Sequence, residues 1–66
     1  MDPRLAGTYN NRGVAYLSKD EYDRAIADFN EAIKLNPMYD AARDNLRVAL
    51  ARRDKAKRSY REPFSP

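Results

Sequence analysis

Asn11 and Asn45 stand 34 residues apart in two matching phrases, "MDPRLAGTYNN" and "NPMYDAARDNL". Each phrase carries Asp-Pro or Asn-Pro near its start, and Pro3 and Pro37 share the same spacing. A side-chain amide offers donors and an acceptor in one plane. Little else in the chain can do chemistry. The absence of histidine removes the commonest general base and the commonest metal ligand. With no cysteine, disulfides and thiolate chemistry go too. Asp20 and Asp23 are close in sequence, but they open a helical stretch, where the helix dipole accounts for them. No metal-binding loop, glycine-rich phosphate loop or nucleophile beside a base is recognisable. No catalytic residue, no metal site and no cofactor is therefore expected, and the chain is not expected to be an enzyme.

The remaining candidate is the basic run "ARRDKAKRSYR". The net charge of +3 conceals an asymmetry: residues up to Asp40 carry five basic and seven acidic side chains, and those from Ala41 carry eight and three. Arg52, Arg53, Lys57 and Arg58 could meet an acidic partner, nucleic acid or anionic lipid, and such binding would weaken steeply with salt. The blander reading is a solvated helix face, diluted by the i,i+4 pairs Asp54–Arg58 and Arg58–Glu62. That reading is preferred: Tyr60 is an isolated aromatic and not a stacking platform, so nucleic acid is the minor alternative.

What must position these residues is small. Sixty-six residues allow one domain with a marginal core. Without disulfides or a metal, further stability is expected from self-association or from a longer parent protein. Mean hydropathy is −0.93 and 35% of residues are charged. No apolar run approaches the ~20 residues of a membrane span, and the N-terminus lacks the apolar stretch of a signal peptide. A soluble, cytoplasmic chain is expected.

Proline and glycine divide the chain into three helical segments. In the first, from about residue 6 to 19, Tyr9, Gly13 and Tyr16 fall on one helical face. The second, about 21 to 35, has the clearest stripe: Tyr22, Ala25, Ile26, Phe29, Ala32 and Ile33. Asp20–Arg24 is an i,i+4 pair near its start. Asn36-Pro37 stops it, since a residue before proline is pushed out of the α region. The third runs from Asp40 towards residue 61, with a buried stripe of Ala42, Leu46, Ala49 and Leu50. Its outer half should project from the core or fray. "EPFSP", residues 62–66, reads as an irregular tail.

Two antiparallel helices joined by a tight turn leave one apolar side that needs another hairpin to cover it. A 34-residue period of such units points to the tetratricopeptide repeat. Residues 6–39 resemble that family closely. Where the pattern asks for an aromatic, then Leu-Gly after two residues, then Tyr, the chain has Tyr9, Arg12, Gly13 and Tyr16. Ala25, Phe29, Ala32 and Pro37 supply the later signature positions. The resemblance implies an all-α hairpin in which Gly13 and Ala25 allow close helix approach, Tyr9, Tyr16 and Phe29 fill the space beside them, and Ala32 makes room for the next helix.

The departures carry their own expectations. Arg12 replaces the family's leucine, so that position should face solvent. Asp20 stands where glycine often makes the turn, and Asp tolerates positive φ better than most residues. A fused long helix with domain swapping is the minority alternative. From Asp40 the pattern restarts and decays, because Arg43 and Arg47 replace an aromatic and a glycine. The third segment should therefore cap the hairpin, covering it with Leu46 and Leu50. Residues 1–5 read as a lead-in resembling the end of a preceding repeat. The whole reads as a last repeat plus cap from a longer array, natural or engineered, with an unfinished N-terminal side that seeks a partner.

The resemblance also implies a function. Proteins of this family bind extended peptides or helices on a concave face made by each unit's first helix. The matching positions are Asn10, Asn11, Val14, Leu17 and Ser18, then Asp44, Asn45, Val48 and Arg52. Family members use an asparagine in the register of Asn11 and Asn45 to hold a bound peptide's backbone. The alternative, that both bond to neighbouring helices, stays open. Asn10 and Val14 stand where basic residues would form a carboxylate clamp, so that clamp is incomplete. A protein-interaction module is the expectation, with a peptide or protein as partner. The runner-up is a scaffold that assembles with itself as a homo-oligomer.

Overall fold

The computed structural model describes the backbone of residues 3–61 and the side chains of residues 4–57. Its elements are three helices, α1 (Pro3–Ser18), α2 (Tyr22–Leu35) and α3 (Asp40–Arg61), so the fold is all-α. Helix α1 begins at Pro3, and residues 3–5 of the expected lead-in belong to it. Proline suits a first turn because its missing N–H would have no helical partner there. The tail at 62–66 and the Asp2 cap lie outside the described residues.

A tight turn separates α1 from α2 and rules out a fused helix in this structure. Asp20 adopts φ 61°, the left-handed conformation. The Glu21 N–H donates to the Tyr16 carbonyl (2.9 Å) and the Asp20 N–H to the Leu17 carbonyl (3.0 Å). These two bonds form the Schellman arrangement that satisfies the last carbonyls of a helix. At the other end of α2, Asn36 is extended (φ −143°, ψ 91°), as the following proline requires. Its side-chain oxygen accepts from the Met38 N–H (3.2 Å) and its carbonyl from the Tyr39 N–H (3.0 Å), turning the chain into α3.

The core is built around Phe29, the largest fully buried side chain. Ala25, Leu17 and Ala49 surround it, with Tyr16, Tyr22, Ile26 and Leu46 packed at the margin. Gly13 is buried against the Phe29 ring: a Cβ there would lie 2.5 Å from Phe29 Cε1. Only glycine permits α1 and the ring to approach so closely. Helices α1 and α2 form the hairpin, and α3 packs mainly on α2 and only lightly on α1.

The cap differs from the expected one. Helix α3 presents Ala42 and Ala49, both fully buried, to the hairpin. Leu46 is half-buried and Leu50 is 40% exposed, so the expected leucine seal is an alanine seal. Small residues let α3 lie close to α2; Leu46 still packs at the margin of the core, and Leu50 turns towards the outer side. Beyond Leu50, residues 51–57 are exposed except for a half-buried Arg53. The 22 residues of α3 span about 33 Å at 1.5 Å per residue against about 21 Å for the 14 of α2, and within its outer half Arg53 and Lys57 still lie beside the start of α2. No helix among the described residues is long and apolar enough to cross a membrane.

Candidate functional site

Helices α1 and α3 lie side by side along one edge of the hairpin. On α1, Asn11, Val14 and Ser18 are exposed, at intervals of three and four residues. On α3, Asp44, Val48 and Arg52 are exposed at intervals of four. Val14 and Val48 are 44% and 40% exposed, the apolar members of an otherwise polar face. Asn45 is half-buried and bonds across the seam, its Nδ2 donating to Asn10 Oδ1 (3.0 Å). That bond ties the two helices together beside the open face.

Asn10 and Leu17 do not lie on this face. Asn10 is 7% exposed and Leu17 8%. Ala6, Asn10, Gly13 and Leu17, spaced four, three and four, form the buried stripe of α1. The family register had placed Asn10 and Leu17 on the open face, whereas Tyr9 and Tyr16, with Gly13 between them, lie half-buried at the edge of this stripe. The two asparagines of the repeated phrase therefore differ: Asn45 bonds a neighbouring helix, whereas Asn11 is exposed.

Arg12 is tied to the hairpin and not simply turned to water. Its Nε donates to Asp28 Oδ2 (2.7 Å) and a terminal nitrogen donates to Oδ1 (2.8 Å). Asp28 is 5% exposed, and the Arg12 side chain is 58% exposed. The guanidinium also lies over the Tyr9 and Tyr16 rings, 5.6 and 5.8 Å from their centroids. The paired hydrogen bonds to Asp28, and then that carboxylate's charge, raise the Arg12 pKa above its usual value despite some desolvation. Sequence reading missed this pair. Its signal was a carboxylate beside Phe29 on the buried side of α2, matched by an arginine at an apolar signature position.

The basic run on α3 leans on the acidic start of α2. Arg53 donates to Asp23 Oδ1 (3.1 Å). Arg53 and Lys57 line a shallow depression with Asp20, Glu21 and Asp23. Arg52 lies near enough to Tyr22 for its charge to act on the phenol, whose pKa is raised chiefly by burial and then by the bond to Asp20. The Tyr22 hydroxyl donates to Asp20 Oδ1 (3.1 Å), and Arg24 pairs with Glu21 (3.3 Å). The expected Asp20–Arg24 pair is thus replaced. Asp20 takes the left-handed turn position and is carried away from the helix surface. The Arg58 side chain, and with it the Asp54–Arg58 and Arg58–Glu62 pairs, lies outside the described residues.

A second open surface lies on the far side of α3. It is a groove of about 500 Å³ whose walls include Ile33 and Pro37 from the α2 side and Leu46 and Leu50 from α3, with Arg43 and Arg47 at its rim.

The tetratricopeptide repeat family matches residues 6–39, more than half the chain. The chain belongs to the tetratricopeptide repeat family. A tetratricopeptide repeat domain-containing protein, PYG7, chloroplastic, of Arabidopsis thaliana is 47% identical over 45 residues, which are 68% of this chain and 15% of that protein. The human mitochondrial import receptor subunit TOM70 is 32% identical over 65 residues, 98% of this chain and 9% of that protein. The chain thus spans a small fraction of the curated relatives it matches. No solved structure matches it. As a tetratricopeptide repeat, it falls in a class of generally non-catalytic protein-interaction modules.

Proposed function

We propose that the open face of α1 and α3 binds an extended peptide or helix of a partner protein. The observation that supports this is the double row of exposed residues: Asn11 and Val14 on one helix, Asp44, Val48 and Arg52 on the other. Both helices are held by packing and by the Asn10–Asn45 bond, so little ordering is required when a ligand arrives. The valines supply apolar contact, and Asn11, Asp44 and Arg52 supply polar contact of both senses. A peptide selected by display against the whole chain provides the ligand for the test. Asn11→Ala and Val48→Ala should each weaken its binding several-fold while helicity by circular dichroism is unchanged. Unchanged affinity in both variants removes this face from the site.

Self-association is the second reading, favoured by the outer side of α1. Leu5 is 48% exposed there, and Thr8, Asn11 and Ala15 beside it are exposed. Sedimentation across a micromolar concentration series decides it, since a self-assembling scaffold gains mass with concentration and a peptide-binding monomer does not. The nucleic-acid reading is weakened by the Arg53–Asp23 pair, which spends part of the basic patch inside the molecule.

A further inference from the structure

We propose that the groove on the far side of α3 docks an amphipathic helix of a partner protein that carries carboxylates one turn apart. Translation by 34 residues superimposes the sequence of α3 on that of α1. Tyr9, Arg12, Gly13 and Tyr16, the side of α1 that receives α2, become Arg43, Leu46, Arg47 and Leu50. The groove is therefore the surface on which a helix packs in this fold, and among the described residues nothing lies over it. Leu46 and Leu50 form a ladder one turn apart, with Ile33 as the facing wall.

Charge decides what kind of helix fits. Arg43 and Arg47 are exposed, one turn apart, and neither pairs with a carboxylate among the described residues. At the position equivalent to Arg47, Gly13 leaves room for the Phe29 ring and for nothing more. An arginine there closes that seat to an aromatic residue. The guanidinium calls instead for a carboxylate, which accepts paired N–H donors in one plane. The partner helix thus places Asp or Glu at i and i+4 beside an apolar row that meets Leu46 and Leu50. It lacks the aromatic residue, Phe29 in α2, that fits α2 against Gly13.

A second copy of the chain fits poorly. Its α2 already commits Ala25, Phe29 and Ala32 to its own core, all fully buried. Its α1 contains no Asp or Glu to offer Arg43 and Arg47. Two copies meeting groove to groove would bring four arginines into one interface, where like charges repel.

The test titrates the 66-residue chain with a synthetic helical peptide the length of α2, 14 residues, with Glu at i and i+4 flanking a leucine row. Analogues carry Gln or Lys in place of Glu. The expected order is Glu first, with Gln weaker by roughly tenfold for two partly exposed charge pairs and Lys weaker still. Arg43→Glu with Arg47→Glu should reverse the order of the Glu and Lys peptides. Asn11→Ala on the opposite face should leave it unchanged. Equal binding of the Glu and Gln peptides, or no binding of any, overturns the proposal. So does an order unaltered by the double reversal, with helicity intact and with Arg43→Gln, Arg47→Gln as a milder check. A concentration-dependent dimer that dissociates on Leu46→Gln and Leu50→Gln would show that a second copy covers the groove and would equally overturn it.

Discussion

Gly7 and Gly13 sit on the same helix, and replacing each by alanine separates two effects that usually travel together. Alanine is favoured over glycine inside a helix by about 1 kcal/mol. At Gly7 the added methyl would meet only the Tyr39 hydroxyl at 4.0 Å, an ordinary contact. Gly7→Ala should therefore stabilise the protein by close to that amount. At Gly13 the same methyl lies 2.5 and 2.7 Å from two carbons of the Phe29 ring. Carbon atoms rest about 3.5–4.0 Å apart, so the ring must withdraw by roughly 1 Å. It has nowhere to go, being fully buried with Ala25, Leu17 and Ala49 around it. Overpacking of this kind costs about 1–3 kcal/mol, which outweighs the helical gain. Gly13→Ala should be destabilising by about 1 kcal/mol, the difference between those two contributions. The two variants should then differ by about 2 kcal/mol, or roughly 10 °C in midpoint for so small a domain. Urea and thermal unfolding followed by circular dichroism measure this. Adding Phe29→Leu to Gly13→Ala should recover part of the loss, a coupling expected only of residues in contact. Equal stability of the two single variants would show that the ring does not press on Gly13.

Further substitutions probe the turn, the Arg12–Asp28 pair and the phenol. Asp20→Gly should raise stability by about 1 kcal/mol, since glycine adopts the left-handed turn without steric cost, whereas Asp20→Ala should lower the unfolding midpoint. Arg12→Leu restores the family residue but strands the buried Asp28 carboxylate, so it should lower the melting temperature. Arg12→Leu combined with Asp28→Leu should recover most of that loss, and a double variant worse than either single would contradict the pairing. Tyr22 has a folded pKa raised above its usual 10.0. The folded state therefore holds the phenolic proton more tightly, and that stabilisation is complete below pH 10 and lost as pH rises through the folded value. Tyr22→Phe should flatten the fall in melting temperature above pH 10, and an unaltered profile would assign the fall to other groups.

The repeat was legible because its marks are local. Pro37 and Asn36 end a helix by backbone geometry alone, and Gly13, Ala25 and Phe29 record a close crossing in residue size. Asp20 announced the turn by occupying a glycine position with a residue that tolerates positive φ. The site was less legible because faces depend on helix rotation. Asn10 and Leu17 each stand one residue, about 100°, from the exposed Asn11 and Ser18, and that single step separates core from surface. The buried stripe of α3 was legible at Ala42 and Ala49, which are fully buried, and was read too widely at Leu50, which is 40% exposed. Arg12–Asp28 and Arg53–Asp23 join residues 16 and 30 apart, and no local pattern announces such partners.

The central claim is that the face shared by α1 and α3 receives the partner. Amide chemical-shift mapping of the isotopically labelled chain with a display-selected peptide tests it most directly. The largest changes are expected at Asn11, Val14, Asp44 and Val48, with Ala27 and Lys34 on the exposed side of α2 undisturbed. Changes centred on α2, with α1 and α3 silent, would contradict it.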